Sequence, residues 1–208
     1  MKLSVYAVLL ALGSYLLGSV SASIVISNTR FGSDIRKYGS GNAGATNMAR
    51  TYGLGEGVIT LIADFLKALI ATQAGSWLLG ETGIVIGGLA SLLGHCFPIF
   101  YRFKGGKGVS VGAAIALAVH WKVLLVIAAV FFIVALLTKK VSAGSVCAAV
   151  SLIVVVFLLD VTAPLRFMSV VTALLVIFQH RQNIRRLLNG TEPDFKAKQN
   201  RLKQGQKA

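Results

Sequence analysis

"VSVGAAIALAVHWKVLLVIAAVFFIVALLTKK", residues 109–140, poses the question on which the topology turns: one long tilted helix, or two helices parted near His120. Taken alone, 109–120 is apolar enough for a bilayer but rises only about 18 Å at 1.5 Å per residue. A hydrocarbon core is roughly 30 Å thick. Working outward, apolar runs mark further helices at 3–26, 54–75, 83–101, 142–159 and 164–180, beside 109–120 and 122–138. Charge then decides the count. With seven crossings and the N-terminus outside, Arg30, Arg36, Lys37, Arg50, Arg102, Lys104, Lys107, Lys139, Lys140 and eight basic tail residues fall inside. Only Lys2, Lys122 and Arg166 fall outside, a split of 17 to 3, which is the asymmetry expected of cytoplasmic loops. Six crossings would put the tail opposite the other basic loops and erase it. The expectation is an all-α, polytopic integral membrane protein with seven transmembrane helices, the fourth short or broken, N-terminus outside and C-terminus cytoplasmic.

Composition agrees. The 208 residues are 55% hydrophobic and only 13% charged, where a soluble domain carries about a quarter charged residues. One helical membrane domain over 1–192 and a basic cytoplasmic tail over 193–208 account for the chain. The formal charge of +14 would suit nucleic acid, but the basic residues sit in short loops and the tail. They read as an orientation signal, and no nucleic-acid partner is expected. Cys96 and Cys147 lie in apolar segments and read as core residues rather than a disulfide. His95 beside Cys96 lacks a second pair at ligand spacing, so no metal is expected. The opening "MKLSVYAVLLALGSYLLGSVSAS" has features of a secretory signal, but its apolar stretch from Leu3 to Val20 exceeds an h-region. A retained first helix is the expectation.

Against this background, polar glycine-rich stretches are out of place. "GSGNAGATNMAR", 39–50, holds Gly39, Gly41 and Gly44, which permit turns that expose backbone N–H groups. Ser40, Asn42, Thr46 and Asn47 add neutral donors, and Arg50 adds a planar cation suited to phosphate. "GHCFPIFYRFKGGKGVS", 94–110, repeats the logic: Pro98 ends a helix, and Gly105, Gly106 and Gly108 allow close backbone approach. Lys104 and Lys107 supply charge there, and a helix N-terminus follows. In the third stretch, 178–195, His180 and Asn183 share a helical face while Arg181 and Arg185 lie on another. The charge-derived topology puts all three stretches at the cytoplasmic face, where they can converge on a pocket for phosphorylated ligands.

Several chemistries are missing. Lys107 precedes Gly108 rather than Ser or Thr, so there is no Walker loop. No nucleophile elbow "GxSxG" occurs. The fifth residues after His95, His120 and His180 are Phe100, Leu125 and Arg185, so the His-x4-Asp pattern of coenzyme A-dependent acyltransferases is absent. Asp64 and Lys67, one turn apart within a span, read as a structural ion pair.

The three stretches, in this order and separated by apolar spans, resemble the motifs of the bacterial acyl-phosphate:glycerol-3-phosphate acyltransferase (PlsY) family over nearly the whole chain. The resemblance implies a multi-pass enzyme of the bacterial cytoplasmic (inner) membrane with its site on the cytoplasmic face. The implied reaction transfers a fatty acyl group from acyl phosphate to the 1-hydroxyl of glycerol 3-phosphate. It yields lysophosphatidic acid and inorganic phosphate, the first step of phospholipid synthesis, with no cofactor. A soluble enzyme that makes acyl phosphate is the implied functional partner, and membrane lipid the surroundings. Ser40, Arg50 and Lys104 would bind phosphate, with Lys107 a weaker candidate. His180 and Asn183 would position the acceptor and complete the catalytic set with Ser40. Gly105, Gly106 and Gly108 would shape the acyl-phosphate loop; Gly39, Asn42, Gly44 and Asn47 would shape the first loop; Glu192 would anchor the tail. A transporter would want an internal repeat and midplane polar groups, and a scaffold would leave Ser40, His180 and Asn183 without a task.

Overall fold

The computed structural model describes residues 2–197; residues 198–208, most of the expected basic tail, lie outside them. Every regular element among the described residues is helical. In chain order they are α1 (Lys2–Ser19), α2 (Ala22–Phe31), α3 (Ala45–Tyr52), α4 (Leu54–Cys96), α5 (Val109–Val119), α6 (Trp121–Thr138), α7 (Val141–Leu158), α8 (Ala163–Gln179) and α9 (Arg181–Leu188).

The longest element is two helices. Leu79 (φ −138°, ψ 15°) and Gly80 (φ 59°, ψ −138°) leave helical geometry inside α4, and glycine supplies the positive φ that the reversal needs. The arms, 54–78 and 81–96, fold back on each other so closely that a Cβ on Gly75 or Gly83 would strike the other's backbone. Gly87 is likewise pressed on Ala71. Small residues at such contacts let helix backbones meet where lipid offers no hydrophobic drive. α1 uses the same device, Gly18 lying on Ser91 and Gly94 on Tyr15 and Ser19.

The stretch 109–140 resolves into two helices. His120 adopts extended backbone (φ −170°, ψ 136°), and its Nδ1 accepts the Lys122 N–H at 3.1 Å, which ends α5 and starts α6. α5 is central. Val111, Ala114, Ile115 and Ala116 are fully buried against α4, α6 and α8. By contrast, Leu136, Leu137 and Leu158 face outward almost bare on α6 and α7, as lipid-facing leucines do. Four stretches among the described residues are long and apolar enough to cross a bilayer: Ser4–Phe31, Leu54–Tyr101, Trp121–Thr138 and Val141–Leu158. α8 and α9, bent by 59°, make a fifth if taken as one.

Two expectations need correction. The interval between the helices expected at 3–26 and 54–75 is not one long loop, since α2 runs on to Phe31 and α3 occupies much of the first motif. The helix expected over 83–101 stops at Cys96, because Pro98 cannot continue it, and a 3₁₀ turn (Ile99–Tyr101) follows.

Candidate active site

α3, the loop 102–108, the start of α7 and the α8–α9 bend converge on one polar cavity of about 110 Å³. Its wall includes Ser40, Asn42, Gly44, Asn47, Arg50, Lys107, Gly108, His180, Asn183 and Glu192. Ten of the residues singled out in the sequence, spread over three stretches, thus share one wall.

The first loop is held from within by Asn47. Its Nδ2 donates to the carbonyls of Tyr38 and Asn42 at 3.0 Å each and Ile35 at 3.3 Å, while its Oδ1 accepts the Ser40 N–H at 2.9 Å. Gly39 (φ 56°) turns where any Cβ would strike the Asn47 oxygen. Gly44 needs no such freedom, since its backbone is extended (φ −158°) as it leads into α3. Arg50 reaches the mouth, 3.5 Å from the Pro193 carbonyl, its guanidinium 6.0 Å over the Phe195 ring. Phe195 N–H donates to the Lys139 carbonyl and Lys140 pairs with Asp194, both at 2.8 Å. The segment read as the beginning of the tail therefore touches the site.

The second loop contributes Lys107, not Lys104. Lys104 is exposed and absent from the cavity wall; its carbonyl accepts from Arg36, which also binds the Tyr101 carbonyl and Asp34. Gly105 and Gly106 pack against the protein itself, Gly105 against the His95 and Cys96 carbonyls and Gly106 against the His95 ring and the Ala43 carbonyl. Lys107 instead donates to Asn183 Oδ1 inside the cavity. Burial pushes its ammonium down to about 8, helped by Arg186 and Arg50 and opposed by Glu192.

At the α8–α9 bend, His180 and Asn183 are both buried. The His180 Nδ1–H donates to the Val176 carbonyl at 2.8 Å; a carbonyl can only accept, so the neutral ring keeps Nε2 as its free acceptor. Asn183 Nδ2 donates to Glu192 Oε1 at 2.7 Å. Glu192 also accepts from Ser142 at 2.6 Å and from Arg186 Nε at 2.7 Å. Burial opposes ionisation of this carboxyl, but the Ser142, Asn183 and Arg186 bonds hold it below the usual range. A chain of contacts thus runs Lys107–Asn183–Glu192–Arg186. Among the described residues no three His, Cys, Asp or Glu side chains meet in a way that would hold a metal.

Sequence reasoning missed Ser142 and Ser145 on α7, both on the cavity wall. Their only signal is two hydroxyls three residues apart at the start of an apolar helix. It also missed the neighbouring groove of about 260 Å³ between α5, α6, α7 and α8, lined by Ala113, Leu124, Ile127, Ala148, Ala149 and Val176 among others. Leu61, Val109, Ser110, Phe131 and Ser145 border both cavity and groove. A charged polar chamber therefore opens directly into an apolar channel.

Residues 8–190 match the glycerol-3-phosphate acyltransferase family model. The chain belongs to the glycerol-3-phosphate acyltransferase family. Membership makes it an acyltransferase, and an integral membrane one. Family members from Geotalea daltonii and Bacillus subtilis, each named glycerol-3-phosphate acyltransferase, are similar to it. The first is 42% identical over 190 residues (91% of this chain, 97% of the relative). The second is 37% identical over 188 residues (90% and 97%). Among solved structures, PlsY (YgiH), an integral membrane glycerol 3-phosphate acyltransferase, superposes in its glycerol 3-phosphate form with TM-score 0.87 at 38% identity, covering 91% of this chain and 96% of that one. Its lysophosphatidic acid form gives 0.84 at 36% identity, covering 91% and 95%.

Proposed function

We propose that this acyltransferase moves a fatty acyl group from acyl phosphate to the 1-hydroxyl of sn-glycerol 3-phosphate, releasing lysophosphatidic acid and inorganic phosphate. One observation carries the reading: the cationic polar cavity and the apolar groove share a wall. A fatty acyl phosphate has that same division, with its reactive carbonyl at the junction. Glycerol 3-phosphate as acceptor is supported by the relatives' names and by the ligand of the PlsY structure.

The chemistry needs little from the protein beyond placement. Acyl phosphate is an activated mixed anhydride, so the acceptor hydroxyl can attack the carbonyl carbon without a covalent enzyme intermediate. The new C–O bond forms to the glycerol oxygen and the bond from the acyl carbon to the phosphate oxygen breaks. The hydroxyl proton ends on the departing phosphate. Arg50 and Lys107 balance the phosphate charges, and the donors of the first loop hold their oxygens. His180 Nε2 and Asn183 orient the hydroxyl, converting an encounter of two solutes into a reaction between neighbours. In this reading His180 positions rather than removes the proton. His180→Gln retains measurable turnover, whereas total loss with intact substrate binding would make His180 the base.

Seven crossings, the N-terminus outside and the site facing the cytoplasm of a bacterial inner membrane complete the proposal. The 17-to-3 charge split supports it, as does the hairpin form of α4, which counts as two crossings. Residues 1–192 form the catalytic unit and the remainder a basic tail, and a soluble enzyme supplies the acyl phosphate. The deciding experiment measures phosphate release from palmitoyl phosphate by detergent-purified protein, with and without glycerol 3-phosphate. Acceptor-dependent release that Lys107→Ala weakens, with a raised KM for glycerol 3-phosphate, supports the reading. Folded protein without acceptor-dependent release sinks it.

A further inference from the structure

Beside the glycine-rich loop, three ionisable side chains that the transfer chemistry leaves unused meet inside the bundle. Asp64 Oδ1 lies 2.7 Å from Lys67 Nζ and 3.6 Å from His95 Nδ1. Lys67 Nζ also donates to the Val20 carbonyl at 2.7 Å and stands 3.2 Å from His95 Nδ1. Their side chains are 2%, 8% and 5% exposed. Buried ion pairs are seldom kept for stability, because well-packed apolar side chains serve as well or better. This one has a further neighbour.

His95 is gripped on one side by the Asp64–Lys67 pair and on the other covers the loop. Gly106 N–H donates to the His95 carbonyl at 3.1 Å, and a Cβ on Gly106 would strike His95 Nε2. Gly105 lies on the carbonyl of the same histidine. The next residue, Lys107, enters the cavity and donates to Asn183. Asp64 and His95 themselves reach the cavity wall.

We propose that Asp64, Lys67 and His95 are positioning residues: the ion pair fixes the imidazole, the ring backs Gly106 while the His95 carbonyl supports Gly105 and takes the Gly106 N–H, and that seat aims the Lys107 ammonium into the cavity. The cluster acts on phosphate binding only through Lys107. Its kinetic consequence rests on the phosphate-binding reading given above; its geometric consequence does not.

The test uses full-length protein in detergent, with His95→Ala and with the double substitution Asp64→Asn/Lys67→Met. The double substitution removes both charges together and leaves no lone buried ion, so it carries the test if His95→Ala fails to fold. The first readout is the acetylation rate of Lys107 by dilute acetic anhydride, measured by mass spectrometry relative to exposed Lys37. In folded variants the ratio rises by about threefold or more as the ammonium is released from its seat. An unchanged ratio overturns the proposal. The second readout is a double-mutant cycle with Lys107→Ala. His95→Ala raises KM for glycerol 3-phosphate by about tenfold, and adds nothing to Lys107→Ala. Independent, additive penalties overturn the route through Lys107. If Lys107→Ala leaves KM unchanged, the phosphate reading of the cavity fails, while the labelling ratio still decides the role of the cluster.

Discussion

Lys107 is an amine in a half-dry cavity, with Arg50 and Arg186 near and a carboxylate partner only at one remove through Asn183. Its position sets a pH limit. The amine ordinarily titrates far above neutrality, but here it loses its proton as pH rises through about 8, and the neutral form cannot balance a phosphate dianion. The acceptor's kcat/KM, which reports the free enzyme, therefore falls above about pH 8. Bound phosphate favours the cation, so the corresponding fall in kcat lies at higher pH. Lys107→Arg, whose guanidinium stays charged, removes the limb from the kcat/KM profile; a profile identical to wild type would assign the limb to another group. Residue types pointed to a lysine in this loop and the resemblance ranked Lys104 ahead of Lys107, whereas the cavity wall holds Lys107 and Lys104 is exposed. Both follow glycine-rich logic, and only the seating of Gly105 and Gly106 on His95 turns one outward and the other inward.

Among the elements, the α4 hairpin and the α5–α8 groove make separate demands. Gly83 faces Gly75 backbone to backbone, whereas nothing lies within 4 Å of a Cβ on Gly13. Gly83→Leu must therefore force the arms apart and costs about 3 kcal/mol or more, while Gly13→Leu is near neutral. Thermal unfolding in detergent separates the two, and equal melting temperatures would deny the hairpin contact. In the groove, Ala149 lies about one turn below Ser145, which stands at the shared wall. Ala149→Phe fills the lower channel and shifts preference toward shorter acyl phosphates, lowering kcat/KM for a sixteen-carbon donor about tenfold with less effect on a ten-carbon one. Equal losses for both donors would place the acyl chain elsewhere. Apolar runs made the helices legible to within a few residues. The end was less so at Pro98, where local backbone chemistry overrides hydrophobicity, whereas the ends expected at His120 lie within a residue of those observed. The groove was invisible for a related reason: its lining alanines and valines are ordinary core residues until four helices leave a gap between them.

At the scale of the molecule, the charge split predicts which turns share a side. With the native cysteines Cys96 and Cys147 replaced, a single cysteine at Lys140 should react from the cytoplasmic side with a membrane-impermeant thiol reagent. One at Lys122 should react from the opposite side. Labelling of both from one side would refute the odd number of crossings. Composition, apolar run length and the placement of lysines and arginines determined a helical membrane protein and a common face for its polar motifs. They could do so because transfer into lipid is a property of each segment taken alone. Residue types in the three motifs pointed to a phosphate chemistry for the same reason, since donors and cations carry their preference locally. Tertiary structure alone decided which lysine enters, that Ser142 and Glu192 brace Asn183, that Asp64 and His95 stand beside the cavity, and that an apolar channel opens from its wall. Those are contacts between residues nine to many tens of positions apart, and no local preference encodes them. They arise only when the helices pack and fix the distances between elements.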